Sequence, residues 1–415
     1  MKFLHAADIH LDSPLRGLRR YDGAPVDQIQ SATRRAFVNL IDFACSEAVD
    51  FVLLAGDLYD GDWKDYNTGL FFNKQMSRLR EADIPVFMVF GNHDAGNRIT
   101  RMLRLPDNVT EFSQEQPETK VLEHLGVAIH GQSFANQSVT DDLSATYPNA
   151  ISGYFNIGLL HTSLNGRPGH DNYAPCTMPS LLSHGYDYWA LGHIHKREIL
   201  HEQPWVVFPG NLQGRHARET GSKGCTLVEV NKGQTSVSHL PIDVFRWEIC
   251  KLDVSKITQA EDLLIDAREL VIKKIEQADG RALALRFIIE GASSVHNELH
   301  SYSDRWINEI RATATDVGLG NVWVEKIKLK TRALDANTEQ DEEALDVLRD
   351  FLENLPNETT GLQALSGEFR SFINALPAEA RVGDRASYVD PSNPDSIRYL
   401  LNNGVEELLM ARMLA

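Results

Sequence analysis

Residues 85–94 are Pro-Val-Phe-Met-Val-Phe-Gly-Asn-His-Asp, an apolar run that ends abruptly in polar groups. The five residues 86–90 are large and apolar, which indicates a strand covered on both faces. In an α/β sheet the end of such a strand delivers side chains into a cleft. The stretch therefore predicts an α/β fold in which Asn92 and His93 lie at a functional site.

Four other predicted strands end in the same way, at residues 2–7, 51–55, 155–160 and 188–191. If all five strands are neighbours, one cleft receives Asp8, His10, Asp57, Asn92, His93, His161, His193 and His195. Imidazole combined with carboxylate and amide oxygens suits divalent ions such as manganese, iron or zinc. These groups are too many for one ion with an open position, and they suit two ions about 3.5 to 4 Å apart that share a bridging ligand.

Each fragment alone is a weak signal, because a single histidine at the end of a strand is more often a structural residue than a ligand. The ordered set DxH, GDxxD, GNHD, H and GHxH is far more specific, since each piece ends an apolar strand. The set as a whole therefore predicts a metal site.

The pattern of apolar residues changes twice along the chain. Residues 1–243 alternate short strands with helical segments, which predicts an α/β domain with helices near 28–48 and 67–82. Residues 244–332 follow the order strand, helix, strand, helix, strand, which predicts a small α/β domain. Residues 333–415 begin with an acidic linker and continue with helical segments that end in an apolar stretch expected to dock on a partner.

The composition excludes some functional classes. The net charge of −17 argues against a generally basic nucleic-acid coat, and residues 331–415 contain 16 Asp and Glu against 7 Arg and no Lys. Neither a signal peptide nor a membrane span is predicted, so we expect a cytoplasmic protein without membrane contact. The four cysteines are far apart, which predicts reduced, structural thiols.

The five motifs resemble, in this order, those of the calcineurin-like metallophosphoesterases over about residues 1–240. The resemblance implies an α/β (α+β) fold, a four-layer α/β/β/α sandwich with a binuclear site at the strand ends. By motif position it implies that one ion is held by Asp8, His10 and His195, the other by Asn92, His161 and His193, with Asp57 as the bridge. It further implies that a bridging hydroxide attacks phosphorus, that His93 is the general acid, and that Asp60 orients His93.

Three stretches, at residues 5–18, 51–60 and 209–221, resemble the bacterial SbcD-type DNA repair nucleases, and most closely their YhaO-like subgroup. The motif GNHD, in place of GNHE, disfavours a phosphoprotein phosphatase. The resemblance implies that 244–332 is a capping domain that helps guide DNA. It also implies that helices in 333–415 bind a coiled-coil ATPase of the SbcC type.

The function expected from these resemblances is a 3′-to-5′ DNA exonuclease with two divalent metal ions, manganese first and iron, zinc or magnesium as alternatives. Two other functions stay open: a phosphodiesterase or phosphatase acting on small nucleotides, and a scaffold subunit that tethers DNA for the ATPase. A homodimer is also left open. Arg215, His216 and Arg218 are candidates for contacts with substrate phosphates, but pairing with Glu219 explains them equally well.

Overall fold

A computed structural model describes residues 1–13, 24–60, 66–95, 104–164, 173–334 and 362–363. The chain separates into two compact units. The first comprises Met1–Cys250, Asp266–Phe287 and Ile310–Lys328, and the described part of the second comprises 251–265, 288–309, 329–334 and 362–363. The domain boundaries at residues 243 and 332 stay a prediction.

The first unit contains a six-stranded sheet in the order β12-β11-β1-β2-β3-β4. Strands β1 to β4 run parallel, and β11 and β12 continue the sheet in antiparallel fashion from β1. These strands are β1 Lys2–Ala6, β2 Phe51–Ala55, β3 Val86–Val89, β4 Val109–Glu111, β11 Gly224–Asn231 and β12 Gln234–Pro241. Because β2 and β3 are buried throughout, their sequences are continuous apolar runs.

A second six-stranded sheet has the order β5-β6-β7-β8-β10-β9. Its four central strands are parallel, and the edge strands β5 and β9 are antiparallel to their neighbours. The strands are β5 Glu118–Leu122, β6 Val127–Gly131, β7 Phe155–His161, β8 Tyr188–Gly192, β9 Glu198–Glu202 and β10 Trp205–Phe208.

Apolar side chains join the sheets and helices into four layers. Helices α1 Val26–Gln30, α2 Ala32–Ser46 and α3 Tyr66–Glu81 form the layer beside the first sheet, where Phe37 and Phe72 pack against strand residues. Phe51 and Ile157 belong to the core between the two sheets. The short helix α4 Asn92–Ala95 follows strand β3. On the other face of the second sheet, Trp189 packs with Leu181 of the short helix α5 Met178–Ser183. The α/β/β/α sandwich that the family resemblance implies is therefore confirmed.

A third sheet has the order β13-β14-β15, with strands Phe245–Asp253, Ala282–Ala292 and Val322–Arg332. Helix α6 Asp262–Gln277 connects the first two strands, and α7 His296–Ser301 and α8 Ser303–Gly318 connect the second and third. The element order matches the prediction, except that the second helix of this domain, which the apolar spacing places at 297–315, is divided at Tyr302. The predicted helices in 333–415 lie outside the described residues, apart from two helical positions at 362–363.

The first predicted helix, 28–48, is likewise two helices that meet at Ser31 and end at Ser46. All four cysteines are free thiols. In the described segments, no helix combines the length and the apolar character needed to cross a bilayer.

Candidate metal centre

The functional side chains follow the ends of neighbouring parallel strands. Strands β1, β2 and β3 lie side by side in the first sheet, and β7 and β8 lie side by side in the second. The loops after β1 and β2 are tied together because Asp8 N donates to Gly56 O at 3.0 Å and His10 N donates to Asp57 O at 3.0 Å. This topology brings residues from five distant sequence segments to one place.

Several of these residues have backbone conformations that are rare outside glycine. The φ angles are 49° at Asp8, 46° at His10, 53° at Asp57 and 106° at His193. Such conformations cost energy and persist where surrounding contacts enforce them, commonly at functional sites. At His193 the backbone N–H donates to both oxygens of Asp8 at 3.1 Å, so one ligand loop holds another.

Two glycines at strand ends are required by close approach. A Cβ on Gly91 would lie 2.3 Å from Asp57 Oδ1, and a Cβ on Gly192 would lie 1.8 Å from the carbonyl oxygen of Ala55. Gly56 in addition has a φ of +87°, which favours glycine. The glycines before the candidate ligands therefore allow the polar side chains to pack together.

The first candidate ligand cluster consists of Asp8, His10 and His195, whose ligand atoms lie within 4.8 Å of one another. Asp8 and His10 are buried, and His195 is 21% exposed. His10 Nε2 and His195 Nε2 are 3.2 Å apart, and His195 Nε2 is 3.9 Å from Asp8 Oδ1. Two imidazoles and a carboxylate thus converge on one point.

The second cluster consists of Asp57, His161 and His193, with Asn92 beside them. His161 Nε2 lies 3.1 Å from Asn92 Oδ1 and 3.6 Å from Asp57 Oδ2. The same Asp57 oxygen is 3.9 Å from His10 Nε2 in the first cluster. Asp57 therefore lies between the two clusters, where a bridging ligand would be needed.

Hydrogen bonds fix the position of the Nδ1 proton in three of the candidate ligand imidazoles. The Nδ1–H of His161 donates to Ala55 O at 2.9 Å, that of His10 to Asp60 Oδ1 at 3.0 Å, and that of His195 to Glu219 Oε1 at 2.7 Å, because these oxygens only accept. In the neutral form of each ring, which metal ligation requires, Nε2 is then the lone-pair atom and it faces its cluster. Burial also lowers the pKa of His10 to about 3, so that its ring stays neutral.

In two close contacts of the site, both facing atoms carry lone pairs and neither carries a proton. His10 Nε2 faces His195 Nε2 at 3.2 Å, and His161 Nε2 faces Asn92 Oδ1 at 3.1 Å. Neither contact can be a hydrogen bond in this protonation state, and a cation between each pair would satisfy both partners. The donor set therefore fits two divalent ions, in agreement with imidazole and oxygen ligation of manganese, iron or zinc.

His93 does not point a lone pair into either cluster. Its Nδ1 lies 3.1 Å from Asp60 Oδ1, and its side chain is 40% exposed beside the ring of His10. Burial disfavours the charged form, but the hydrogen bond to Asp60 and the charges of Asp57 and Asp60 outweigh it and raise the pKa of His93 to about 9. His93 is therefore a partly exposed imidazole beside the ligand clusters, and its contact with Asp60 favours the protonated form.

Asp60 is ionised in this arrangement. Burial alone would raise the pKa of Asp60, but hydrogen bonds from His10, His93 and Ser13 hold it well below its usual range. The hydroxyl of Ser13 donates to Oδ2, the oxygen that does not contact the imidazoles. Asp60 thus holds the protons of two histidines on their Nδ1 atoms.

The three predicted phosphate contacts differ in their surroundings. Arg215 is 13% exposed, and its NH2 donates to Glu219 Oε1 at 3.2 Å while NH1 lies 3.7 Å from Asp60 Oδ2. His216 is 56% exposed and lies 3.7 Å from Glu219. Arg218 is exposed, and its backbone N–H donates to His216 Nδ1 at 3.2 Å.

Two carboxylates that were not predicted as site residues, Asp94 and Glu219, hold parts of the site by hydrogen bonds. Asp94 is buried and accepts hydrogen bonds from the backbone N–H groups of Leu58, Tyr59 and Gly91 at 3.2, 3.0 and 3.0 Å. Burial and the nearby Asp57 charge raise the pKa of Asp94 to about 7. Glu219, the second, fixes His195. The only sequence signal for Asp94 was its place in GNHD.

The chain also matches known families. A calcineurin-like phosphoesterase family model matches residues 1–197, and a model described as the middle domain of metallophosphoesterase YhaO matches residues 247–332. Members of the first family bind divalent metals and are hydrolases.

Individual relatives agree with these matches. The uncharacterized metallophosphoesterase YhaO of Bacillus subtilis is 38% identical over 299 residues, which cover 71% of this chain and 72% of that protein. DNA double-strand break repair protein Mre11 of Sulfurisphaera tokodaii is 23% identical, covering 74% of this chain and 79% of that protein. Mre11 of Sulfolobus acidocaldarius is 25% identical over 64% of this chain and 70% of that protein. The two family matches and the identity with YhaO show that this chain belongs to the calcineurin-like metallophosphoesterases, in the group that includes YhaO.

Proposed function

We propose that this metallophosphoesterase hydrolyses phosphodiester bonds of DNA and removes nucleotides from 3′ ends. The single observation that carries the proposal is the Asp60-His93 pair beside two ligand clusters joined by Asp57, because that arrangement suits cleavage of a phosphate ester. Relatives named as DNA double-strand break repair proteins support DNA as the substrate. The 3′-to-5′ polarity comes from the resemblance to SbcD-type nucleases.

The protein's own residues would prepare the site and handle the proton. Asp60 keeps the proton of His93 on Nδ1 and stabilises its charged form, so that Nε2–H can be donated to the leaving oxygen. The backbone N–H of His93 donates to Asp57 Oδ1 at 3.0 Å, which fixes the distance between the acid and the bridging carboxylate. Two bound divalent ions would supply Lewis-acid polarisation of the phosphate and a lowered pKa for water.

The acidic composition supports the presence of a partner. The 58 Asp and Glu outnumber the 41 Lys and Arg, so the net charge of −17 opposes binding of DNA phosphates, and affinity grows with the number of phosphates neutralised. We propose that a coiled-coil ATPase of the SbcC type supplies much of this binding and docks on residues 333–415.

The first experiment compares the wild-type chain with His93→Ala on end-labelled duplex DNA, with manganese, with magnesium and with chelator. His124→Ala is the control, because His124 is an exposed histidine on the same domain. We expect metal-dependent shortening from the 3′ end, reduced by about 10²- to 10⁴-fold in His93→Ala and unchanged in the control.

The small diester bis-p-nitrophenyl phosphate separates the alternatives. Its hydrolysis with intact DNA would replace the proposed nuclease with a phosphodiesterase of small nucleotides. Manganese binding without turnover of either substrate would instead indicate a DNA-tethering scaffold.

The partner is tested by co-expression of the full-length chain with a coiled-coil ATPase from the same genome. We expect co-purification and a faster cleavage of DNA, with little change in hydrolysis of the small diester. Separate elution of the two proteins and equal DNA cleavage with and without the ATPase would contradict the proposed complex.

A further inference from the structure

Arg215 lies between two carboxylates that each hold part of the metal centre. Its NH2 is 3.2 Å from Glu219 Oε1, its NH1 is 3.7 Å from Asp60 Oδ2, and its backbone N–H donates to Glu219 Oε2 at 2.7 Å. Asp60 is 18% exposed and Glu219 is 6% exposed. The guanidinium is thus a largely buried cation between two largely buried anions.

The two carboxylates together orient three imidazoles. Asp60 Oδ1 accepts from His10 Nδ1 and His93 Nδ1, and Glu219 Oε1 accepts from His195 Nδ1. Two of these imidazoles are candidate ligands of the first cluster, and the third is the proposed acid. Arg215 therefore contacts both groups that determine which nitrogen of each ring carries the proton.

At His195, the ring nitrogen that carries the proton depends on the contacts with Arg215 and Glu219. Arg215 NH2 also lies 3.2 Å from His195 Nδ1, whereas Glu219 Oε1 lies at 2.7 Å from the same atom. A proton on Nδ1 satisfies the carboxylate and leaves Nε2 for a metal, and the guanidinium then bonds to the carboxylate beside it. The opposite tautomer would protonate Nε2 and remove His195 from the first cluster.

A cation at this position also compensates two desolvated charges. A carboxylate held out of water is costly unless a paired charge and hydrogen bonds compensate it. The planar guanidinium can reach both at once, which a lysine ammonium with its single charged atom does less well. Loss of the Arg215 side chain would remove the cation that contacts both carboxylates, and would leave Asp60 held by Ser13 and Glu219 held by Asn211 and the backbone N–H of residue 215.

We propose that Arg215 is a positioning residue that couples Glu219 and Asp60, and thereby holds His195, His10 and His93 in the arrangement needed for metal binding and proton donation. The assignment differs from a phosphate contact. It rests on the proposed phosphodiesterase function for its kinetic readout, and manganese binding supplies a second readout that needs no substrate.

One observation favours the alternative role of Arg215 as a contact for substrate phosphate. Its Nε is buried and has no hydrogen-bond partner within the described residues, so it could still donate to a bound group. A residue that binds substrate phosphate equally in the ground and transition states affects KM and leaves kcat unchanged. A positioning residue affects kcat and metal affinity instead.

The test compares the wild-type chain with Arg215→Ala, Arg215→Lys and Arg268→Ala. Arg268 is the control, since its 53% exposed side chain pairs with exposed Asp316 away from the ligand clusters. The kcat and KM for bis-p-nitrophenyl phosphate with manganese are measured beside the manganese dissociation constant, followed by the electron paramagnetic resonance signal of the free ion.

We expect Arg215→Ala to lower kcat and manganese affinity by about 10- to 100-fold each, the usual effect of losing a group that supports metal ligands, with KM changed by less than about twofold. Arg215→Lys should recover part of both losses, and Arg268→Ala should equal the wild type. If Arg215→Ala does not give a cooperative thermal transition, Arg215→Lys and Arg215→Gln are judged by the same criteria.

A rise in KM with unchanged kcat and manganese affinity would overturn the proposal in favour of phosphate binding, and so would wild-type values for all three quantities. If the wild-type chain hydrolyses the diester but leaves DNA intact, the proposed nuclease function is wrong. The positioning role of Arg215 is then still tested by diester hydrolysis and manganese affinity. If neither substrate is turned over, manganese affinity alone decides, and an unchanged value in Arg215→Ala overturns the proposal.

Discussion

Asp60 serves two histidines with one carboxylate oxygen. Oδ1 lies 3.0 Å from His10 Nδ1 and 3.1 Å from His93 Nδ1. Because an ionised carboxylate only accepts hydrogen bonds, both rings must carry their protons on Nδ1. One residue therefore sets the tautomer of a candidate metal ligand and of the proposed general acid.

We expect Asp60→Asn to lower kcat about 10- to 100-fold, since a neutral amide oxygen can accept from the rings but its lack of charge no longer stabilises protonated His93. The measurement is hydrolysis of bis-p-nitrophenyl phosphate with saturating manganese. Asp107→Asn, in which a carboxylate 84% exposed is replaced, should leave kcat unchanged.

A double-mutant cycle with His93→Ala separates the two contacts of Asp60. If Asp60 acts through His93, its replacement should cost much less in the His93→Ala background than in the wild type. The remaining cost then reports on His10. Equal costs in both backgrounds would show that the contact with His93 contributes nothing to the rate.

The sequence could place the candidate ligands because each follows an apolar strand and parallel strands end at one edge. It could not assign Glu219 to His195 or Asp94 to the loop of Leu58, since these contacts join segments whose separation in space depends on the whole fold. Arg215 shows the same limit. Its sequence allowed either a phosphate contact or a pair with Glu219, and in the structure its guanidinium is paired with carboxylates.

At the scale of elements, the sequence predicts the interior strands of the two six-stranded sheets, including strands at 127–129, 205–208 and 225–230 that correspond to β6, β10 and β11. The four strands that the sequence did not predict are β4, β12, β5 and β9, and each is an edge of its six-stranded sheet. An edge strand has fewer buried positions, so its sequence lacks a continuous apolar run; β12, for example, alternates between exposed and half-buried residues. The breaks within two predicted helices were missed for a similar reason, because Ser31 and Tyr302 interrupt the backbone without changing the apolar spacing.

Gly192, at the end of strand β8, has no room for a side chain. Its substitution by alanine would place a Cβ 1.8 Å from Ala55 O, the carbonyl oxygen that accepts a hydrogen bond from His161 Nδ1–H. We expect Gly192→Ala to lower the free energy of unfolding by about 3 kcal/mol or more, because backbone must move in a packed core. Manganese affinity should fall as well, since both His161 and His193 would shift.

The matched control is Gly233→Ala, in a hairpin turn where the added Cβ meets nothing within 4 Å but φ is +79°. It should lose only about 1 kcal/mol, the cost of a left-handed alanine. Urea denaturation monitored by circular dichroism measures both variants. Similar losses in the two would mean that close approach at Gly192 is not the determining feature.

At the scale of the whole molecule, the two six-stranded sheets share a polar contact inside the apolar core. His5 of β1 is fully buried, with Nε2 3.2 Å from Leu191 O and Nδ1 3.0 Å from the hydroxyl of Tyr188, both in β8. The carbonyl only accepts, so Nε2 carries the proton and Nδ1 accepts from Tyr188. The neutral ring is satisfied on both sides, and periodicity in the sequence gives no hint of this pairing of sheets.

That contact makes the stability of the sandwich depend on pH. Burial lowers the pKa of His5 to about 3 from an ordinary 6.5, so below pH 6.5 the unfolded chain binds a proton that the folded chain does not. Stability from this group is complete above pH 6.5 and is lost as the pH falls, by about 1 kcal/mol per pH unit. His5→Gln keeps a hydrogen-bond donor and an acceptor but removes the titrating group. Its free energy of unfolding, measured with urea, should therefore fall less steeply than that of the wild type between pH 6.5 and 5. The control His124→Gln, at an exposed histidine, should follow the wild type. Parallel curves for wild type and His5→Gln would mean that His5 is not held neutral in the folded protein.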